Sequence, residues 1–184
     1  KETVLNDLIV FSNQRIVNHL EELSIDKDLI KATLIIDPST DNKLINILDL
    51  KNRINIIKQL REKANFPEIQ KVISRISKLA ENGNLKTTNF SAIDYVNPEL
   101  FEKECEAKIF EFVKELEKLV LLPKCDYLKL ISLFEINTKN LTELFDNKKG
   151  VLVMAENLEI RNNRLNLLCL IRNFSLKIAD FRLL

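Results

Sequence analysis

Lys71, Arg75 and Lys78 recur at i, i+4 and i+7, a spacing that sets three cations in a row on one face of an α-helix. Like charges in such a row repel. A phosphate backbone laid along them would relieve the repulsion and release counterions, which is the chemistry of nucleic-acid contact. A solvated helix face accounts for the same row without any ligand. The row ends a longer basic stretch. From Lys51 to Lys78, eight Lys and Arg stand against only Glu62 and Glu68, a net of +6. From Glu99 to Lys118, four Lys stand against seven Glu, a net of −3. The formal charge of the whole chain is +1, so any polyanion-binding surface must come from this local segregation. The carboxylates of the 99–118 stretch read as solvent-facing or lysine-paired groups, with no pairing suited to acid/base chemistry.

A second set of polar residues lies near the end of the chain. With Ile160 as origin, Arg164, Leu167, Leu168, Ile171, Phe174 and Ile178 share one helical face, so Arg164 falls on an apolar stripe. A buried guanidinium must be paired, and a carboxylate, helix-end carbonyls or a ligand phosphate would serve. A structural ion pair is the expected role for Arg164. Arg161 and Arg172 project from a flank of the same helix.

Other reactive residue types do not assemble into a site. His19 is the only histidine and sits in an ordinary helical pattern, where a surface or packing role is expected. Cys105, Cys125 and Cys169 are odd in number and far apart, which reads as buried reduced thiols and argues against both a zinc site and a disulfide framework. There is no Gly-rich phosphate loop, nucleophile elbow or metal-ligand cluster. Catalytic residues, metal ligands and cofactor sites are therefore all expected to be absent from this chain.

The elements that must position these residues read as helices throughout. Two Gly and four Pro among 184 residues disfavour a sheet with many tight turns, and 46% hydrophobic with 30% charged residues is the balance of a folded globular chain. No apolar run approaches the ~20 residues needed to cross a bilayer. A first helix is expected from Glu2 to Leu23, with Val4, Leu5, Leu8, Ile16, Leu20 and Leu23 on its apolar side. A shorter one, capped by Asp26, should run to Ile36 and stop at Asp37-Pro38. A third spans about Leu44 to Lys63, with a possible restart at Asp49. Pro67 opens the clearest helix, whose stripe is Ile69, Val72, Ile73, Ile76, Leu79 and Ala80 and whose stop is Glu81-Asn82-Gly83.

Residues 84–96 read as a mobile loop between an N-terminal helical subdomain, 1–83, and a C-terminal one, 97–184, although a single continuous domain is also compatible with the pattern. Asn97-Pro98-Glu99 starts a long helix to about Val120, stopped by Pro123. Helices over Tyr127–Phe134 and Asn140–Phe145, a buried extended connection at Val151–Met154 and a last helix from about Leu158 to Ile178 complete an all-α bundle of about six to eight helices. The first residue is Lys, inside a helical pattern, so the chain is expected to be a piece of a longer polypeptide.

The segment Glu143-Leu144-Phe145-Asp146-Asn147, then Val151 to Asn157, then Ile160-Arg161-Asn162-Asn163-Arg164-Leu165-Asn166-Leu167-Leu168, resembles the C-terminal signature of glycyl-tRNA synthetase β subunits. The ending Ile178-Ala179-Asp180-Phe181 is similar to theirs too. This is the DALR-type anticodon-binding module, shared more loosely with arginyl-tRNA synthetases, whose usual ending with a glycine and Ala-Pro-Glu is missing here. Asp49-Leu50, Arg53-Ile54, Leu60, Phe66 and Ser74 to Leu79 resemble the upstream β-subunit region. Ser74 and Lys78 stand where that family tends to have Lys and Asn, and Lys148-Lys149 lengthen the connection before Val151.

The resemblance implies a helical module that holds the anticodon arm of glycine tRNA. The parent enzyme would be a tetramer of two α and two β subunits, with ATP, magnesium and glycine activation in the α subunit. It further implies a cytoplasmic bacterial setting, with an organellar one left open, and no membrane partner. Lys71, Arg75, Lys78 and Arg172 are then candidates for phosphates, and Arg161 and Asn163 for base edges or backbone. No aromatic residue is placed by the sequence for base stacking. The competing reading is a helical protein-interaction module that joins subunits without touching RNA.

Overall fold

The computed structural model describes residues 2–34, 44–122 and 125–184, with no side-chain placement for residues 2 and 3. Among them are eight α-helices, two 3-10 turns and no strand, as the scarcity of Gly and Pro predicts. They are α1 (Glu2–Glu22), α2 (Lys27–Leu34), α3 (Ile47–Arg61), α4 (Phe66–Ala80), α5 (Ala92–Tyr95), α6 (Glu104–Val120), α7 (Tyr127–Glu143) and α8 (Leu158–Leu176). The expected stops at Asp37-Pro38 and Pro123 lie outside the described residues. No helix among the described residues is long and apolar enough to cross a membrane.

One apolar core joins α2, α3, α4, α6, α7 and α8, with Ile69, Ile73, Ile76, Leu116, Phe134, Leu168 and Phe174 fully enclosed. α8 runs through its centre, buried on most sides, and α4 and α6 flank it. α4 has the single apolar stripe read from its sequence, and Pro67 stands in its first turn. Phe112 and Phe134 pack edge to face with centroids 5.4 Å apart, tying α6 to α7.

Several boundaries differ from the sequence expectation, each for an identifiable reason. Asn97 does not open a long helix: its side chain caps a 3-10 turn at Pro98–Leu100, and α6 starts only at Glu104. The start is set by Glu106, whose Oε2 accepts the backbone N–H groups of Glu102 and Lys103 at 2.9 and 3.0 Å. The two helices expected between Tyr127 and Phe145 are one. Thr138 returns its hydroxyl to the Phe134 carbonyl and Asn137 its amide to that of Leu133, so these polar side chains find partners without leaving the helix. α3 begins behind Asn46, whose side chain accepts from Leu48 and Asp49, and does not restart at Asp49.

Gly83 does not adopt the left-handed backbone expected of a helix stop. A Cβ there would lie 2.7 Å from Cys169 Sγ and 3.4 Å from Leu165 Cβ, so glycine is required by the close approach of α8. The stretch after it is held down as well. Asn173 donates to the Lys86 and Asn89 carbonyls at 2.8 and 2.7 Å, Leu85 is buried, and Phe90 packs on Phe174. The expected mobile loop is thus fastened along α8 at several points.

α1 departs most from its predicted packing. Its C-terminal part is anchored by Leu20, buried in a satellite cluster with Ile30, Leu50 and Ile54. Val4, Leu5, Leu8, Val10 and Phe11, including three of the residues expected to be covered, are exposed.

Candidate nucleic-acid interface

Of the eight basic residues from Lys51 to Lys78, three are paired, while Lys51 and Lys58 on α3 and the three on α4 enter no ion pair among the described residues. Arg53 is buried and donates to Asp49 Oδ2 and the Thr33 carbonyl, at 2.9 and 2.7 Å. Arg61 reaches Asp28 and the Leu184 carbonyl, and Lys63 pairs with Glu135 at 2.8 Å. These three hold the bundle together. Lys71, Arg75 and Lys78 are exposed on α4 and enter no ion pair or hydrogen bond through their side chains among the described residues. The spacing predicts one row, and the helix supplies it: the apolar stripe of α4 turns inward, which leaves the cations outward.

Arg75 has one specific neighbour. Its guanidinium carbon lies 4.1 Å from the centroid of the Phe145 ring, beyond the end of α7. Two open cavities meet at this pair. One, of about 630 Å³, runs between α4 and α7 and is lined by Lys71, Arg75, Lys139, Thr142 and Phe145, with Glu68 and the Lys63-paired Glu135 in its wall. The other, of about 450 Å³, lies between Arg75, Leu79 and the connection from Phe145 to Met154. Its wall continues through Lys103, Gly150, Val151 and Leu152 into a third hollow at the start of α8.

The connection is not buried as expected, since Leu152 and Met154 are exposed and only Val153 is covered, but its turn is held by several hydrogen bonds. Asp146 Oδ1 accepts the backbone N–H of Lys148 and of Lys149, each at 2.8 Å, and Gly150 N–H returns to the Asp146 carbonyl. The Lys149 and Lys148 amides hold the Asp146 carboxyl below the usual carboxylate range. A Cβ on Gly150 would lie 2.4 Å from the Leu144 carbonyl, so no larger residue closes this turn. Lys103 donates to the Lys148 carbonyl at 3.1 Å and adds a cation to the same rim.

The polar residues of α8 are differently placed. Arg164 is buried, as its position on the stripe requires, and meets Glu106 Oε1 at 2.8 Å, Glu102 Oε2 at 2.6 Å and the Leu152 carbonyl at 3.0 Å. Burial pulls its pKa down, but Glu106 and Glu102 overcome this and hold it above the usual arginine value. Glu106, one of the carboxylates read as solvent-facing, is instead the buried partner of this arginine.

Asn163 is buried and clamps Asn97, accepting its N–H at 2.7 Å and donating to its carbonyl at 2.9 Å. Arg172 donates to the carbonyls of Ala80 and Leu85 and to Asn173 Oδ1, which closes the C-terminal end of α4. Arg161 is half-buried and its side chain has no ion pair or hydrogen bond among the described residues. The structure thus unites Arg75 and Lys71 at one groove and spends Asn163, Arg164 and Arg172 on internal bonds. Phe145, which sequence reasoning passed over, joins them there; its only signal was its place in the Glu143–Asn147 segment. His19 is exposed, 3.6 Å from Glu22, and Cys105, Cys125 and Cys169 are free thiols whose pKa values burial pushes up.

Searched against protein-family models, the chain matches none. It is similar to individual proteins along nearly its whole length. A glycine–tRNA ligase beta subunit of Picosynechococcus is 35% identical over 98% of this chain and 26% of its own length. That of Gloeothece citriformis is 33% identical over the same shares, and that of Moorella thermoacetica 29% identical over 98% of the chain and 24% of its own. The chain thus spans about a quarter of the length of the curated relatives it matches. The likeness carried by the last helix extends back through α1, and the chain is a relative of glycine–tRNA ligase beta subunits, corresponding to a C-terminal region of theirs.

Proposed function

We propose that this chain binds the anticodon arm of a tRNA for glycine, as a part of a glycine–tRNA ligase beta subunit. The ligase would charge that tRNA, with glycine activation, ATP and magnesium handled by an α subunit in a tetramer of two α and two β chains. The relatives' names support the enzyme and the tRNA, since each is called a glycine–tRNA ligase beta subunit. The observation that carries the RNA contact is the row of Lys71, Arg75 and Lys78, exposed and in no ion pair among the described residues, with Lys71 and Arg75 lining a groove. Cations held by neighbouring acids would have little to gain from a phosphate; these three enter no ion pair among the described residues, and of the two acids in the groove wall Glu135 is already paired with Lys63, which leaves Glu68. Lys71 and Lys78 therefore take phosphates, Arg75 adds its charge between them with its guanidinium N–H edge directed to the same backbone, and Arg161 is a further contact. Asn163, Arg164 and Arg172 support the scaffold, because their polar atoms already have partners.

The test is a titration of the chain with an RNA hairpin carrying the anticodon stem and loop of a glycine tRNA, at several salt concentrations. Binding that weakens steeply with salt is expected. The double variant Lys71→Ala, Lys78→Ala should bind more weakly, with the log–log salt slope reduced by about 0.7–0.9 for each phosphate that is no longer neutralised. Absence of hairpin binding by the parent chain, or a slope unchanged in the double variant, refutes the proposal.

A second reading, assembly with another protein segment, is favoured by the exposed Val4, Leu5, Leu8, Val10 and Phe11 of α1. It uses a different element and is compatible with the first.

A further inference from the structure

We infer that Arg75 and Phe145 form the seat of a single unstacked nucleobase, which lies against the outer face of the Arg75 guanidinium in the cavity beside Leu79. This rests on the RNA-binding reading above and names the part of the ligand that the groove recognises.

An exposed arginine normally spreads over many rotamers and loses them when it binds. Here the guanidinium sits over an aromatic ring at 4.1 Å, and no carboxylate among the described residues draws it aside. Phe145 thus backs the cation, and Arg75 is exposed and lines an open cavity in which a flat ring can meet it. Bases stack on arginine planes as they do on aromatic rings, and a pre-positioned plane loses less entropy in doing so.

The two cavities divide the labour that a nucleotide requires. Lys71 and Lys139 stand in the α4–α7 groove, where a backbone phosphate gains most. On the other side of Arg75 the walls are Leu79, Val151, Val153 and Met154, apolar surfaces suited to a base, with Asp146 and Asn147 at hand for its polar edge. Asp146 is an acceptor only at neutral pH, because backbone amides stabilise its ionised form. By contrast, the hollow beside Asn97 and Asn166 has Asp94 and Glu159 in its wall and no cation, an arrangement that repels a phosphate.

The experiment is a thermodynamic cycle between one protein variant and single-base deletions in the RNA. The anticodon hairpin of a glycine tRNA is made with each loop base replaced in turn by an abasic site. It is titrated against the parent chain and against Arg75→Lys, which keeps the charge and loses the plane. One abasic position should weaken binding to the parent on the order of 10-fold, as expected for one stacked base. Arg75→Lys should weaken the intact hairpin similarly, and that abasic position should then cost nothing more. Arg75 is exposed, so the variant should melt with the parent. If every abasic hairpin binds the parent as the intact one does, or if the two losses simply add, the base seat is overturned. Salt-dependent binding that persists in that case leaves the basic groove standing, whereas a parent chain that binds no hairpin overturns both.

Discussion

Replacing Arg164 by Ala isolates the energetics of the one buried ion pair that fixes α8 to α6. In the parent, Glu106 is 1% exposed and Arg164 5%, with Nε and Oε1 at 2.8 Å. Removing the guanidinium leaves Oε1 enclosed without a donor, while Oε2 keeps the two backbone amides that cap α6. The Leu152 carbonyl also loses its donor. The Glu102 arm, 57% exposed, contributes little because water screens it.

Deleting one partner of a buried pair costs about 3–5 kcal/mol, and the two surviving amide bonds to Glu106 place the value near the lower end, at about 3 kcal/mol. At a slope of about 2 kcal/mol/M, urea unfolding followed by circular dichroism should show a midpoint lower by about 1.5 M with the slope unchanged. The cause can be separated from simple loss of packing by the double variant Arg164→Met, Glu106→Gln. It removes the stranded charge yet keeps an oxygen for the amides, so it should recover about half of the loss. A single variant within about 0.5 kcal/mol of the parent, or a double variant less stable than the single, refutes this account.

Three further outcomes follow from other contacts. Gly83→Ala should destabilise by about 1–3 kcal/mol, since its Cβ would meet Cys169 Sγ at 2.7 Å, and adding Cys169→Ala should relieve part of that, both read by urea unfolding. Arg172→Ala should cost about 1–3 kcal/mol by stripping donors from the Ala80 and Leu85 carbonyls, and it should leave hairpin affinity unchanged at a temperature where the variant is folded. The Arg61 guanidinium bonded to Asp28 lowers that carboxyl's pKa below its ordinary 3.8. Its stabilising contribution is therefore full above the unfolded value and is lost as pH falls through the lower folded one. Asp28→Asn should flatten the decline in melting temperature below about pH 4, and an unchanged acid limb would contradict it.

Periodicity revealed which faces turn inward, and its failures have physical causes. The α4 stripe was legible because that helix packs one apolar side on its neighbours, so a 3.6-residue rhythm survives in the sequence, whereas α8 is buried on most sides and the stripe read from it is only part of its enclosed surface. Arg164 was legible by the same rhythm, as the one charge on a buried face. Its partner was not, since Glu106 stands among seven acids between Glu99 and Lys118 and only tertiary packing selects it. The start of α6 was misread for the same reason: Asn97-Pro98-Glu99 has all the marks of a helix start, yet Glu106 captures the amides at Glu102 and Lys103. α1 shows the reverse case. Its apolar residues were read as core, but nothing in a one-dimensional pattern says whether a partner surface lies opposite.

Charge is legible in a sequence as a count and hidden as a state. Eight basic residues between Lys51 and Lys78 are equal in the count, yet Arg53, Arg61 and Lys63 neutralise Asp49, Asp28 and Glu135 and contribute almost nothing to an external field. A polyanion responds to the cations left over, Lys51 and Lys58 on α3 and the row of Lys71, Arg75 and Lys78 on the outward face of α4, whose buried side is apolar except for Ser77 and holds no acid. Arg75 then differs from Lys71 and Lys78 by its ring partner, which the close packing of α4 on α7 brings to it from far along the chain. The same inward stripe that builds the bundle therefore decides both which cations stay unpaired and which of them is held in place.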